Sequence, residues 1–178
     1  MPAYVVFLRA VNIAPRWVKM ALLREVLTAE GFGEVETYIQ SGNVRVTSSL
    51  RSARKVGRHL EDVLETAFGF TIPCIVRTPA ELAAVAAYAD SLDDPLGGAT
   101  QRRYVTFFTE PVPKDRAEEL AAWNVRGERL RANGSEIYWW LDKSTHEARM
   151  SNAVLERGGL VATTRDLKVV RALAERWT

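Results

Sequence analysis

The amino-acid sequence predicts an α+β fold made of two tandem ferredoxin-like (split βαβ) units with antiparallel sheets. The first observation is the order strand, helix, strand, strand, helix, strand in the N-terminal half. A similar order of elements is predicted after residue 100, although the residues of the two halves do not match. The second is a hairpin signal within each half, Ser41-Gly42 and Asn133-Gly134. Helices would then cover one face of each sheet and leave the other face uncovered.

The first unit is predicted over residues 1–78. Its opening strand is short and rich in β-branched and aromatic residues, and the loop after it contains Pro15. Gly31 and Gly69 follow the two helices, where a left-handed residue commonly ends a helix. The predicted elements are a strand at 4–9, a helix at 18–30, strands at 35–40 and 44–47, a helix capped by Ser49 or a neighbour that runs to 68, and a strand at 72–77.

A connecting helix and a linker are predicted over residues 79–100. Thr78 is the expected N-cap, Pro79 occupies the first helical position, and Glu81 completes a capping box. The run Asp-Asp-Pro-Leu-Gly-Gly at 93–98 has the composition of a linker.

The second unit, with its C-terminal helix, is predicted over residues 101–178. Ser144 and Glu147 match a capping box, which predicts a helix that ends at Gly158-Gly159. Thr163 or Thr164 is expected to cap the last helix. The predicted elements are a strand at 103–109, a helix at 114–123, strands at 128–132 and 136–141, the helix that starts at Ser144, a short strand near Val161 and a helix from about residue 164.

Composition and charge restrict the class of protein. The chain has 24 Lys and Arg against 22 Asp and Glu, a balance that disfavours duplex-DNA binding without excluding nucleic acid. No apolar run approaches the ~18 residues of a membrane span. The start of the sequence shows no signal-peptide pattern, and a lone cysteine fits a reducing compartment. We therefore expect a cytoplasmic protein without membrane contact.

No sequence motif argues for catalysis, a metal or a cofactor. His59 and His146 lack the spacing of metal ligands, and there is no Cys/His cluster. Cys74 follows Pro73 within an apolar strand, so we expect a buried and unreactive thiol. Walker, Gly-x-Ser-x-Gly and Gly-x-Gly-x-x-Gly patterns are missing.

Polar residues gather where the first strand ends and the first helix begins. A helix start favours anions, Arg9 can fork onto a phosphate or carboxylate, and Lys19 supplies a point charge. Pro15 weakens this interpretation because it offers no N–H. The alternative is that Asn12 shapes the loop, Ser41-Gly42 shapes the turn, and Arg9 pairs with a nearby acid. The candidate ligand-binding residues here are Arg9, Asn12, Lys19, Gln40, Ser41 and Asn43.

A second candidate group contains Arg149 and Arg165. If Arg165 stands in the first turn of a helix, the positive end of the helix dipole repels it, so it needs a carboxylate or another anion as partner. A salt bridge to a nearby glutamate and a bound ligand are both open as explanations.

Aromatic residues suggest a further surface. Tyr138 and Trp140 share one face of a predicted strand, while Tyr104 and Phe108 alternate on a neighbouring strand. Stacking of bases on these four rings would bind single-stranded RNA. Alternatively, the same face could contact a second copy of the chain or another protein, or it could be buried within the chain. Large aromatic residues mostly occupy cores and interfaces.

Several segments of the sequence are distinctive: Phe7-Leu8-Arg9-Ala10-Val11-Asn12-Ile13, Val18-Lys19-Met20, Thr37-Tyr38-Ile39-Gln40-Ser41-Gly42-Asn43-Val44, Val76-Arg77-Thr78 with Glu81-Leu82, Ile137-Tyr138, Ser151-Asn152-Ala153 and Ala162-Thr163-Thr164-Arg165. Together they resemble the bacterial domain-of-unknown-function family 1697. The resemblance implies two ferredoxin-like halves packed together and no established activity, cofactor or catalytic residue. The chain departs from the family pattern at Ala14-Pro15, commonly Gly-Gly, at Ala148-Arg149, commonly Ser-Lys, and at Arg165-Asp166-Leu167, commonly Arg-Asn-Trp.

These observations lead to one functional expectation and two alternatives. We expect a cytoplasmic binding protein for a small anionic or nucleotide-like ligand at the first strand–helix loop. The alternatives are an interaction or dimerisation module that uses the aromatic sheet face, and a single-stranded RNA-binding protein.

Overall fold

A computed structural model describes all residues, 1–178, and contains two four-stranded antiparallel sheets and six helices. The predicted α+β class is therefore confirmed. In chain order the elements are β1 (Ala3–Leu8), α1 (Met20–Ala29), β2 (Gly33–Tyr38), β3 (Asn43–Thr47), α2 (Ala53–Phe68), β4 (Cys74–Arg77), α3 (Pro79–Ser91), β5 (Arg102–Phe108), α4 (Lys114–Ala121), β6 (Glu128–Asn133), β7 (Glu136–Leu141), α5 (Asn152–Leu155), β8 (Ala162–Asp166) and α6 (Leu167–Trp177).

The chain divides into two compact units. The first contains Met1–Ala83 together with Leu173–Thr178, and the second contains Ala84–Ala172, so the division falls inside α3 and again inside α6. The strand order is β2-β3-β1-β4 in the first unit and β6-β7-β5-β8 in the second. Both orders are those of a split βαβ unit, in which the first strand lies between the third and the last.

Helices α1 and α2 cover one face of the first sheet. Side chains of alternate β1 residues, such as Val6 and Leu8, pack with Leu23 of α1 and Leu60 of α2 in one buried cluster. The residues between them on β1, such as Phe7, are buried as well. β1 is therefore a strand buried on both faces, as its nearly continuous apolar sequence indicates.

Local signals mark the ends of α2 and the start of α3. Ser52, rather than Ser49, caps α2 by accepting a hydrogen bond from the Lys55 N–H at 3.4 Å. The predicted capping box is present: Thr78 Oγ1 accepts from the Glu81 N–H at 3.1 Å, and the Glu81 carboxylate accepts from the Thr78 N–H at 2.8 Å. These bonds satisfy backbone donors that a helix start leaves without partners.

In the second unit, β7 is buried along its whole length. Ile137, Trp139 and Leu141 pack in a cluster with Leu120 of α4 and Leu155 of α5, which cover that face of the sheet. No helix of the chain is long and apolar enough to cross a membrane.

The predicted helix from Ser144 to Gly158-Gly159 is wrong. The Glu147 N–H reaches the Ser144 carbonyl oxygen at 3.2 Å but forms only a turn, and the helix that follows is the short α5, capped by Ser151. The buried Glu128 carboxylate is the physical reason. It accepts hydrogen bonds from the N–H groups of residues 149 and 150, at 2.8 and 2.9 Å, and so removes both from a helical ladder.

The expected cap at Thr163 or Thr164 is also wrong, because both lie within β8, and α6 begins only at Leu167. Thr164 is paired with Thr106 of β5, and their hydroxyl oxygens lie 2.7 Å apart. β-Branched residues suit a strand beside a central partner, and this pairing outweighs their capping preference.

Candidate functional site

The most strongly constrained surface of the first unit is formed by two segments, residues 9–19 between β1 and α1 and residues 39–42 between β2 and β3, which we call the loop pair. Asn12 joins them. Its Oδ1 accepts from the Val18 N–H at 2.9 Å, its Nδ2 donates to the Gln40 carbonyl oxygen, and its own N–H donates to the Arg16 carbonyl oxygen at 2.7 Å. The structure therefore places the Asn12 side chain in contact with the hairpin. The sequence alone did not determine how far Asn12 lies from the hairpin.

Arg16 holds the same segment against its surroundings. Its Nε donates to the Ala10 carbonyl oxygen at 2.6 Å, and a second guanidinium nitrogen donates to the Thr71 carbonyl oxygen at 2.5 Å. The guanidinium carbon also lies 4.5 Å from the centre of the Phe70 ring, a cation–π distance. Arg16 is consequently a structural side chain, and the peptide bond between Ala14 and Pro15, within the segment it holds, is cis.

The hairpin is shaped by Asn43 and by Gly42. The Asn43 side chain is fully buried, and its Nδ2 donates to the Tyr38 carbonyl oxygen and to Ser41 Oγ, both at 3.0 Å. Gly42 has a φ of +85°, and a Cβ there would lie 2.7 Å from Leu8 Cβ. The contacts of Ser41 and Gly42 are therefore those of residues that shape the turn, and the Asn43 side chain has the same role.

Backbone strain is concentrated in the loop pair. Ala10, Asn12 and Ile39 have φ values of 57°, 56° and 52°, and Glu34 is the one other non-glycine residue with positive φ. Asparagine tolerates this conformation, whereas a β-branched residue such as Ile39 adopts it rarely. Such residues persist only where surrounding bonds hold them, and they cluster at functional sites.

Apolar side chains of the loop pair face solvent. Trp17, Ile13 and Ile39 are 62%, 56% and 47% exposed, and they are three of the five exposed large hydrophobic residues of the chain. Trp17 is a candidate site residue that the sequence-based prediction did not include. The available signal was its position just before the helix, in a proline-containing loop and outside the apolar stripe of α1.

The two cations predicted for this site differ in exposure. Lys19 is exposed and occupies the N-cap position of α1, where no side chain caps the helix and no acidic residue stands in the first turn. Arg9 is half-buried at the end of β1, and its N–H donates to the Pro73 carbonyl oxygen at 3.0 Å. Lys19 is thus placed beside first-turn N–H groups that have no side-chain partner.

The two arginines of the second predicted group differ in burial and in local structure. Arg149 is exposed in the segment before α5, whereas Arg165 is a buried residue of β8 and not part of a helix. Arg165 donates to Thr163 Oγ1 at 2.8 Å and to the Thr164 carbonyl oxygen at 3.1 Å. Burial lowers the pKa of Arg165 to about 10. The expected position of Arg165 in the first turn of a helix is wrong, because Arg165 lies in β8 and α6 begins at Leu167. Burial, and not a helix dipole, disfavours its charge.

The four aromatic residues of the predicted stacking surface do not share a face. Tyr104 lies opposite Trp139 in the β5–β7 register, with ring centres 4.8 Å apart, so Tyr104 and Phe108 belong to the face covered by α4 and α5. Tyr138 points to the other face and contacts Tyr88 of α3, with ring centres 4.9 Å apart. Phe108, Tyr138 and Trp140 are at most 3% exposed. Three of the four rings are therefore closed to solvent, and Tyr104 is half-buried.

Two further predictions concern reactive groups. Cys74 is buried, and burial, followed by the charge of Glu61, raises the pKa of its thiol well above the ordinary value. An unreactive thiol is expected from this environment. No group of three or more histidine, cysteine, aspartate or glutamate residues is arranged to hold a metal ion.

Comparison with known proteins gives a family and a fold. The family model described as "Protein of unknown function (DUF1697)" matches residues 1–138. The structure of the conserved bacterial protein SP0830 from Streptococcus pneumoniae is similar over 99% of this chain and 98% of that one, with a TM-score of 0.75 and 23% sequence identity. No curated protein matches the chain. The structural likeness supports the same fold in both proteins.

Proposed function

This chain belongs to the DUF1697 family of proteins of unknown function, and we propose that it is a cytoplasmic protein that binds a small anionic, nucleotide-like ligand at the loop pair. The observation that carries the proposal is the exposed Trp17 beside a clamped, strained backbone. Trp17 is 62% exposed, and its segment is held by the three hydrogen bonds of Asn12. Holding residues at unfavourable φ costs about 1–3 kcal/mol each, which supports a functional rather than a purely structural origin.

The exposed groups of the loop pair suit the two ends of a nucleotide. The flat ring of Trp17 can stack on a base, a contact that tolerates every base because each has a π-face. Lys19 and the uncapped first turn of α1 supply a positive charge and N–H donors for a phosphate. Arg9 is the second cation of this site, and the exposed Gln40 offers an amide from the hairpin side. Ser41 and Asn43 fix the shape of the hairpin.

Titration of the full chain with AMP, ADP and ATP tests the proposal, with affinity measured by calorimetry and tryptophan emission followed by fluorescence. The chain has five tryptophans. We therefore expect saturable binding that tightens with phosphate number and quenches tryptophan emission in the wild type but not in Trp17→Ala. A stacking contact is worth about 1–3 kcal/mol, so Trp17→Ala should weaken binding by about 5-fold to 150-fold, while Trp17→Phe keeps most of the affinity. Lys19→Ala should weaken ATP binding about tenfold.

Lys55→Ala is the matched control, because Lys55 is also an exposed lysine at the start of a helix in the same unit. Its affinity for ATP should equal that of the wild type. Absence of binding at millimolar nucleotide, or an affinity unchanged in both Trp17→Ala and Lys19→Ala, would refute the proposed function.

A further inference from the structure

The second unit contains a basic cleft of about 180 Å³ where the start of β5 meets the start of α6. The β5–β8 register places Tyr104 opposite Asp166, and this pairing brings the two arginines that precede Tyr104 beside the first residues of α6. Four of the lining side chains are basic: Arg102, Arg103, Lys168 and Arg171. None of them belongs to the loop pair, which lies in the other unit.

Two of these cations are held in place. Arg103 donates to the Ala89 carbonyl oxygen at 2.8 Å, and its guanidinium carbon lies 5.3 Å from the centre of the Trp140 ring. Arg171 forms two hydrogen bonds with Asp90 Oδ1, from Nε at 2.9 Å and from a terminal nitrogen at 2.6 Å. A guanidinium that is already oriented loses little conformational freedom when it binds an anion.

Positive charge is in excess within this cleft. Arg102 and Lys168 are exposed and form no ion pair, so their charges are not compensated by the protein. Burial lowers the pKa of Arg103 and the neighbouring charge of Arg171 lowers it further, while the charges of Asp90 and Asp94 raise it. Four cations against the carboxylates of Asp166, Asp90 and Asp94 leave a net charge of about +1.

The start of α6 does not account for the excess. Asp166 Oδ1 already accepts a hydrogen bond from the Lys168 N–H at 2.8 Å, so this helix has a carboxylate at its own N-terminus. Attraction of an anion therefore comes from the side chains of the four cations. A phosphate monoester carries a charge of about −1.5 to −2 at neutral pH, so the excess positive charge of the cleft attracts it.

We propose that this cleft binds a phosphate dianion, either inorganic phosphate or the terminal phosphate of a small monoester. Its volume is below the roughly 300 Å³ at which pockets for drug-sized ligands begin, so the cleft holds the phosphate and leaves any organic part in solvent. Arg102 supplies a fork for two phosphate oxygens and Lys168 a point charge, while Arg103 and Arg171 provide the fixed positive wall.

The test uses the full chain, inorganic phosphate and glycerol 3-phosphate, a monoester without a ring that could stack on Trp17. Calorimetry measures affinity, and backbone amide shifts of Gln101 and Lys168 locate the site. We expect both probes to bind at millimolar concentration or below and to shift the amides of Gln101 and Lys168. The double variant Arg102→Ala/Lys168→Ala should weaken binding at least tenfold. Because neither side chain forms an ion pair, this variant should keep the thermal stability of the wild type.

The double variant Arg131→Ala/Lys114→Ala is the matched control, since it also removes an exposed strand arginine and an exposed lysine from the first turn of a helix in the same unit. Its affinity for phosphate should lie within twofold of the wild-type affinity. Tighter binding of inorganic phosphate or of glycerol 3-phosphate shows whether the cleft prefers free phosphate or a phosphate monoester. No binding of either probe, or equal affinity in the two double variants, would overturn the proposal. Lys19→Ala should leave phosphate affinity unchanged, so failure at one site is separable from failure at the other.

Discussion

The buried carboxylate of Glu128 allows a prediction worked from the structure. Glu128 is 1% exposed and accepts hydrogen bonds from the N–H groups of Arg149 and Met150, at 2.8 and 2.9 Å, and from Trp123 Nε1 at 3.1 Å. Lys143 Nζ lies 3.6 Å from the carboxylate. A single side chain from β6 thereby anchors the segment that leads into α5.

Glu128→Ala should destabilise the second unit by about 3–5 kcal/mol at pH 7. Each hydrogen bond to a charged acceptor is worth about 1.5–3 kcal/mol, and removal of the acceptor leaves the donors of a buried cluster without partners. Met150 is 1% exposed, so water cannot readily replace the lost acceptor at its N–H. Glu128→Gln, which keeps one acceptor oxygen but loses the charge, should cost about 2 kcal/mol.

The effect should depend on pH. Burial alone would raise the pKa of Glu128, but the hydrogen bonds from Arg149, Met150 and Trp123, with the charge of Lys143, outweigh burial and lower it. A carboxyl whose pKa is lowered by folding contributes its full stability above the unfolded pKa of about 4.3, and the contribution is lost as pH falls through the folded pKa. The difference between wild type and Glu128→Gln should therefore narrow below about pH 4.

Urea unfolding at pH 7 and at pH 3, followed by circular dichroism, measures the free energy of unfolding. Hydrogen exchange of the Met150 amide gives the local effect, since its protection should fall strongly in Glu128→Ala. Glu147→Ala, which removes an exposed acid from the same segment, should change the free energy by less than about 0.5 kcal/mol. A loss below about 1 kcal/mol in Glu128→Ala, with Met150 protection unchanged, would refute the reasoning.

Three other changes have expected outcomes. Gly42→Ala should cost about 2–4 kcal/mol in urea unfolding, because φ is +85° and the new Cβ would lie 2.7 Å from Leu8 Cβ; a neutral effect would contradict the assigned turn. Asn12→Ala should cost about 1–3 kcal/mol and speed exchange of the Val18 amide, because it removes the acceptor of that N–H; unchanged exchange would argue against the clamp. Thr78→Ala should lower the free energy of unfolding by about 1 kcal/mol in the same urea assay, because it removes the helix cap. An unchanged free energy would show that the cap does not contribute to stability.

Signals within a few residues of each other predicted much of the fold. The capping box of Thr78 and Glu81 and the hairpin at Asn133-Gly134 depend on neighbours in the chain, and both are present in the structure. Alternation along β7 also separates Tyr138 from Trp139 as expected. Local geometry suffices where the partners of a backbone group lie nearby in sequence.

The errors have long-range causes. Glu128 withdraws the N–H groups of residues 149 and 150 from a helix, although it lies 21 and 22 residues before them. Pairing with β5 keeps Thr164 in a strand across a separation of 58 residues. The faces of β5 relative to β7 follow from the register of Tyr104 and Trp139, which period-two alternation cannot supply. Each case is a tertiary contact overriding a local preference.

The clamp formed by Asn12 has a consequence for dynamics. One amide group bonds both the segment before α1 and the Gln40 carbonyl oxygen, 28 residues away in the chain. Displacement of either segment breaks the same set of bonds, so the two segments should open together. A ligand that orders one segment therefore also orders the other. A second ligand that binds the other segment then loses less conformational entropy on binding.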